Sequence, residues 1–256
     1  MIAWLRRRLR RSGIARGTYH LLRRGRRWLE FRREFVAFQR LAKDDPRLRL
    51  RWSERYACLD DKTEVTPFDA HYTYHTAWAA RCVAAIQPAY HVDISSSLYF
   101  STLVSAFVPV RFHDYRPAVI SLDGLTSGQA DLMRLPFPSE SVASLSCMHV
   151  VEHVGLGRYG DPIDPGGDLK AMAELCRVLA RGGALLFVVP VGRPKIAFNA
   201  HRIYAYRQVR EYFAALRLRQ FALVADDPAE GLIVDAPEHV VDAQEYGCGC
   251  FWFEKP

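Results

Sequence analysis

What this 256-residue chain lacks narrows it first. It has no run of about 18 apolar residues, so no membrane-spanning helix is expected. Arg interrupts every hydrophobic stretch near the N-terminus, which speaks against a secretory signal. The six cysteines (Cys58, Cys82, Cys147, Cys176, Cys248, Cys250) show no paired spacing, and a reduced, cytoplasmic setting suits them better than a disulfide framework. Cys248 and Cys250 form the one close pair; a structural zinc site would want a second pair, so the spacing calls for no metal. There are no internal repeats, and no low-complexity segment outside an Arg-rich N-terminal stretch.

That stretch holds most of the charge. Residues 1–40 contain thirteen Arg, no Lys and two acids, Glu30 and Glu34, which leaves 22 basic against 26 acidic residues in the rest of the chain. They read as one or two basic amphipathic helices. Trp28, Phe31, Phe35 and Phe38 recur at three- and four-residue steps, with Arg26, Arg27, Arg32, Arg33 and Arg40 beside or opposite them. Such a helix suits an anionic surface, at the inner face of a membrane, or a protein partner. Packing of the stripe on the folded body is the plainer alternative. Nucleic acid is the weakest candidate partner, because the body is acidic.

Asp44-Asp45-Pro46 breaks the pattern, so a helical extension over 1–45 and an α/β domain over 46–256 are expected. Residues 47–66 read as an irregular connector. Asp69 is a plausible N-cap for a helix to about Ile86, with Tyr72, His75, Ala79, Cys82 and Val83 on one face. A helix in that place often lies over a cofactor mouth. His71 and His75, one turn apart, suit either a metal or a solvated or core-facing pair, the second being the commoner outcome.

From Tyr90 strands and helices alternate. Strands are expected at Tyr90–Ile94, Val110–His113, Val119–Leu122, Val142–Met148 and Ala184–Val189. Helices are expected at Leu98–Phe107 and from an Asp168 cap to Leu179, the latter ended by Gly182-Gly183. A helix near Tyr206–Ala215 and strands near Leu218–Val224 and Cys248–Glu254 follow, the last two as an antiparallel edge. The alternation predicts a doubly wound, mostly parallel sheet of the Rossmann-like, three-layer kind.

In such sheets ligands bind beyond the carboxyl ends of the strands, where the strand order reverses. Asp93 ends the first strand, and Asp114 follows 21 residues later at the end of the second, a spacing at which an acid meets ribose hydroxyls. Asp131 ends the third unit and suits an exocyclic amine. Three acids in register also suit a cationic ligand.

These residues resemble the class I S-adenosylmethionine-dependent methyltransferases. Val92-Asp93-Ile94 with its tight turn, Asp131 before Leu135-Pro136-Phe137, and Arg177-Val178-Leu179 before Gly182-Gly183 look like that superfamily's successive motifs, over about residues 68–254. The runs Cys147–Asp161 and Phe198–Arg202 look closest to a branch catalogued only as a domain of unknown function. The resemblance implies a methyltransferase-type fold and S-adenosylmethionine as cofactor. Asp93 and the Ser95–Ser97 turn would face its methionine part, Asp114 its ribose and Asp131, with Leu132, its adenine. His149 would close over the adenine ring. The superfamily usually carries glycines where Ser95 and Ser97 stand, and glycine lets backbone approach a ligand closely.

The expected function is methyl transfer to an oxygen of a small or carbohydrate-like acceptor. His153, His201, His149 and Glu152 are the candidate bases, on loops after the fourth and fifth strands, with His153 first and His201 second. Tyr159, Asp161 and Asp164, in the long loop before Asp168, suit a sugar hydroxyl or a cation, or a turn held by prolines. Two other readings compete. One is a catalytically silent binding or scaffold module that docks through its N-terminal helix. The other is a zinc hydrolase using His149, Glu152 and His153, which resembles the inverted zinc-peptidase pattern.

Overall fold

The computed structural model describes residues 13–42 and 45–256, so residues 1–12 of the basic extension lie outside the described residues. The described chain forms two compact units that divide between Pro67 and Phe68.

Among the described residues of the first unit, helix α1 (Gly13–Ala42) carries the basic stretch from Arg16 to Arg40. Its aromatic stripe is covered from within the unit. Trp28 stacks on Phe31 at 5.4 Å, and Trp52 packs against Trp28, Phe31 and Phe35 at 6.0, 6.1 and 5.0 Å. The Arg55 guanidinium lies over the Trp52 ring at 4.5 Å. Lys62 pairs with Glu30 and Glu34, and Arg27 with Asp60. The connector expected to open the α/β domain thus belongs to the helix, and the division falls after Pro67 rather than at 45/46. The reason is physical: an aromatic face standing alone in water is unfavourable, and Trp52 supplies the apolar surface that covers it. Phe38 remains exposed.

The second unit opens with α2 (Ala70–Ile86), whose N-cap Asp69 accepts a hydrogen bond from the Tyr72 amide. An eight-stranded sheet follows: β1 (His91–Ile94), β2 (Val110–Asp114), β3 (Leu125–Gln129), β4 (Val142–Met148), β5 (Leu179–Val191), β8 (Arg217–Val224), β9 (Leu232–Val234) and β10 (Gly247–Glu254). Between β5 and β8 a separate short ribbon pairs β6 (Lys195–Ala197) with β7 (His201–Ile203). The order is β3-β2-β1-β4-β5-β10-β8-β9. The first five in that order run parallel, and β10 is inserted antiparallel to both β5 and β8. This is the doubly wound, mostly parallel sheet that the alternation led one to expect.

Alternate residues of each buried strand feed opposite faces, as the pleat requires. Leu185, Phe187 and Val189 pack on the face covered by α4 (Gly167–Val178), α5 (Tyr206–Tyr212) and α6 (Glu238–Asp242). Leu186 and Val188 pack on the face covered by α2 and α3 (Leu98–Val104). Three details differ from the sequence expectation. Val119–Leu122 forms no strand, and the third strand lies at Leu125–Gln129. β10 sits inside the sheet and short β9 forms the edge, because Phe251 and Phe253 are fully buried and need neighbours on both sides. Gly182-Gly183 falls within β5 rather than at the helix end; α4 stops at Val178, and Gly182, at φ +71°, lets the strand bend.

Candidate active site

Strand order reverses between β1 and β4, and a cavity of about 300 Å³ opens at the carboxyl ends of β1, β2 and β4. That is the smaller end of the range for small-molecule sites. Its walls take Ser95, Ser96 and Ser97 after β1, Asp114, Tyr115 and Arg116 after β2, and Ala130, Asp131, Leu132 and Met133 after β3. Met148, His149, Val150 and His153 come from the end of β4, Tyr159 and Asp161 from the loop beyond, and Tyr72 from α2.

The two outer acids stand as the spacing led one to expect. Asp114 Oδ1 accepts the Arg116 amide at 2.7 Å, and Asp131 Oδ1 accepts the Met133 amide at 2.9 Å. Each local turn aims its carboxylate at the cavity and engages one oxygen. Leu132 and Met133 supply the apolar wall beside them.

Asp93 does not face the cavity. It is fully buried, with Ser146 Oγ donating to Oδ1 and Ser101 Oγ donating to Oδ2, each at 2.5 Å. Burial pushes its carboxyl up to about 6, against the pull of those hydroxyls. The expectation that Asp93 would meet the methionine part of a cofactor is therefore corrected: the serines on β4 and α3 have claimed it. Ser95 and Ser97 do line the cavity. Ser95 holds a left-handed conformation, φ +57°, of the kind glycine adopts most readily, and its amide donates to the His113 carbonyl at 2.7 Å.

The four candidate bases separate. His149 also has a left-handed backbone, φ +58°, and its buried ring meets Glu152 Oε1 through Nδ1 at 2.9 Å. Burial holds the imidazole down to about 4, so it is neutral near pH 7. Glu152 is buried behind it, and the loss of hydration pushes its carboxyl up to about 7. His153 lines the cavity, half-buried, with Nδ1 against the Ala200 carbonyl at 2.6 Å. The Arg158 guanidinium lies 3.3 Å from the same nitrogen but donates to the Ala200 carbonyl at 3.0 Å; the closer carbonyl only accepts, so Nδ1 carries the proton and Nε2, 3.7 Å from Glu152 Oε1, presents a lone pair. Burial lowers this imidazole from its ordinary value, opposed by Glu152. His201 lies outside the cavity lining, its ring 4.7 Å from Tyr246.

The geometry contradicts the zinc-hydrolase reading. Only a short helical turn, Val151–His153, follows β4, and Glu152 Oε1 itself stands between the two imidazoles, 2.9 Å from His149 Nδ1 and 3.7 Å from His153 Nε2, where a metal shared by them would have to lie. The acids of the long loop are also occupied. Asp161 Oδ2 accepts the amides of Gly155 and Gly157, and Asp164 pairs with Lys170. Asp168 receives the Tyr204 hydroxyl and lies 3.5 Å from Arg202 instead of capping α4.

Sequence reasoning missed Arg116, whose guanidinium packs over the Tyr159 ring at 4.9 Å across the cavity mouth. Its position two residues after Asp114 was the available signal. It also missed buried Arg202, which holds the loop by donating to the Val154 and Pro165 carbonyls.

Residues 139–224 match a family model described as Caenorhabditis protein of unknown function, DUF268. The match spans both runs, Cys147–Asp161 and Phe198–Arg202, that set this chain near a branch of unknown function. Among curated proteins no relative matches the chain. Solved structures resemble it at low identity. YcgJ from Bacillus subtilis is 13% identical, with 71% of this chain and 98% of that one covered at a TM-score of 0.49. Geranyl diphosphate C-methyltransferase from Streptomyces coelicolor, in complex with Mg2+, geranyl diphosphate and S-adenosyl-L-homocysteine, is 12% identical, with 70% and 77% covered at 0.49. The N-methyltransferase NodS from Bradyrhizobium japonicum is 14% identical, with 70% and 93% covered at 0.46. The likeness is one of backbone arrangement.

Proposed function

We propose that the second unit is an S-adenosylmethionine-dependent methyltransferase acting on an oxygen of a small hydroxylated acceptor. One observation carries this reading: two carboxylates, an apolar wall and an imidazole with a bare Nε2 converge on one cavity at the switch point of the sheet. The residues present fit the cofactor's chemistry. Asp114 suits ribose hydroxyls, Asp131 an exocyclic amine, and Leu132 with Met133 the face of a flat ring. Together the two acids suit a cation.

When bound, S-adenosylmethionine supplies a methyl group activated by its sulfonium. The chain's own work is then to hold the acceptor and to take its proton. His153 Nε2 is the base; the Ala200 carbonyl fixes its tautomer, and Glu152 beside it steadies the imidazolium that forms. Tyr72 from α2 and Tyr159, Asp161 and Pro162 from the loop line the cavity, and they would limit its water once an acceptor is bound. With Asp161 and Asp164 engaged in the loop, a carbohydrate-like acceptor rests on the hydroxyl chemistry alone.

The deciding experiment is calorimetric titration with S-adenosylmethionine. Micromolar-range binding that Asp114→Ala weakens at least tenfold supports the proposal. Absence of binding to the wild-type protein overturns it and favours the silent binding module, in which the left-handed Ser95 turn closes the site.

A further inference from the structure

Three buried polar atoms near the cavity rim have no hydrogen-bond partner: His75 Nε2, His149 Nε2 and Glu152 Oε2. Orphaned buried atoms are rare in folded proteins and call for an explanation such as a bound ion or water. For the two histidines the tautomer can be derived. His75 Nδ1 lies 2.6 Å from the His71 carbonyl, and His149 Nδ1 lies 2.9 Å from the Glu152 carboxylate. Both partners are acceptors, so both protons sit on Nδ1 and both Nε2 atoms are bare lone pairs. A buried imidazole with Nδ1–H on a carboxylate and Nε2 unshared is arranged as a metal ligand with its outer-shell partner.

Two further side chains meet His149. One ligand-type atom each from His71, His149 and Cys248 lies within 4.8 Å of the others. They come from the first turn of α2, the end of β4 and the start of β10. His75 packs edge-on against His149 at 5.0 Å.

We propose that His71, His149 and Cys248 form a binding site for a borderline-soft divalent transition metal of the zinc class. Two imidazoles and a thiolate are the ligand types such ions select, and no carboxylate or carbonyl is among them to favour magnesium or calcium. Bond lengths of about 2.0–2.3 Å require the three atoms to draw closer than they stand. His71 is half-buried and stacked on His149 at 5.5 Å, so it is the ligand with room to turn toward the other two. Cys248 loses its thiol proton to solvent as the metal binds. The metal would tie α2, whose Tyr72 lines the cavity, to the strand ends beneath it. This site shares His149 with the hydrolase set but uses neither Glu152 nor His153 as a ligand.

The test is titration of the full-length protein with Co2+ as a spectroscopic probe, followed by Zn2+ displacement; neither readout needs enzymatic activity. The expected result is one equivalent of Co2+ with visible d–d bands of four-coordinate intensity and a thiolate-to-cobalt charge-transfer band, both abolished by Zn2+. Cys248→Ser should remove the charge-transfer band, and His71→Ala should weaken binding at least tenfold. His71 is half-buried, so its variant is expected to fold, as circular dichroism would verify. Cys250→Ser should leave the spectrum intact. Absence of the bands in the wild-type protein, or their persistence in both Cys248→Ser and His71→Ala, overturns the proposal.

Discussion

His91 and Asp93 are joined through one hydroxyl. Ser146 Oγ donates to Asp93 Oδ1 and so accepts from His91 Nε2 at 2.9 Å, while Ser144 Oγ lies 2.8 Å from His91 Nδ1 and Ser101 Oγ closes the chain on Asp93 Oδ2. Every polar atom of this buried wire is paired, which lets two ionisable groups lie beneath the sheet's switch point.

Their pH effects oppose each other. Burial lowers His91 to about 3, so the unfolded chain binds its proton first as pH falls from about 6.5, and stability declines. Burial raises Asp93 to about 6 from an ordinary 3.8, with nearby Asp114 adding to the rise. The folded protein therefore takes up that proton first, and stability increases over the same fall in pH. Between about pH 4 and 6 the two slopes, each up to about 1.4 kcal/mol per pH unit, cancel. Asp93→Asn should unmask the histidine, giving a slope steeper than wild type by about that amount in urea unfolding across this range. Equal slopes in both proteins would show that the wire does not titrate as described.

Ser95 carries a removable cost. An L-residue in the left-handed region is unfavourable by roughly 1–2 kcal/mol, and a 3.3 Å contact from its hydroxyl to the His113 carbonyl returns little of that. Ser95→Gly should raise unfolding free energy by about 1 kcal/mol and leave S-adenosylmethionine binding equal or tighter, since a side chain leaves the cavity wall. A destabilised variant would mean that the hydroxyl contributes more than the backbone costs.

Much of the fold could be read from periodicity. The continuous apolar run Ala184–Val189 and the amphipathic face of α4 leave few alternatives, and Asp114 and Asp131 lie where the strand spacing puts them. Asp93 could not be placed in this way. Its burial depends on Ser101 and Ser146, eight and fifty-three residues away, and no local pattern reveals a hydroxyl aimed from another strand. The interior position of β10 was hidden for a similar reason, because a strand's neighbours are set by long-range pairing. The proposed metal cluster joins three distant elements, and its sequence traces were the His71–His75 pair and the Cys248–Cys250 pair, neither of which shows that His149 stands between them. In the first unit, Trp52 looked like part of a featureless connector until its ring met α1.

The first unit keeps one apolar row uncovered. Leu22, Leu29 and Val36 are exposed and recur at seven-residue steps along one side of α1, with Arg26, Arg33 and Arg40 set among them. We propose that this row, not the covered aromatic stripe, meets an anionic lipid surface, with basic side chains adding about 1 kcal/mol each near such a surface. The full-length protein should co-sediment with phosphatidylserine-containing vesicles in a salt-sensitive manner and remain in solution with neutral ones. A variant with Ser at positions 22, 29 and 36 should bind several-fold more weakly. Equal sedimentation of the two would reject the row as the contact.

His153 bears the chemical step in the proposed reaction, and its role can be separated from binding. The imidazole lines the cavity, and Nδ1 is fixed by Ala200, which leaves Nε2 as the free base. His153→Gln keeps a polar side chain of similar reach but removes the base. General-base catalysis is worth about 10²–10⁴-fold, so kcat for a hydroxyl acceptor should fall by that factor while the calorimetric affinity for S-adenosylmethionine changes little, because Asp114 and Asp131 lie on other strands. Loss of cofactor affinity in step with kcat would make His153 part of the binding wall. An unchanged kcat would move the proton to another acceptor, and Glu152, its carboxyl raised to about 7 and one oxygen unpartnered, is the group to substitute next.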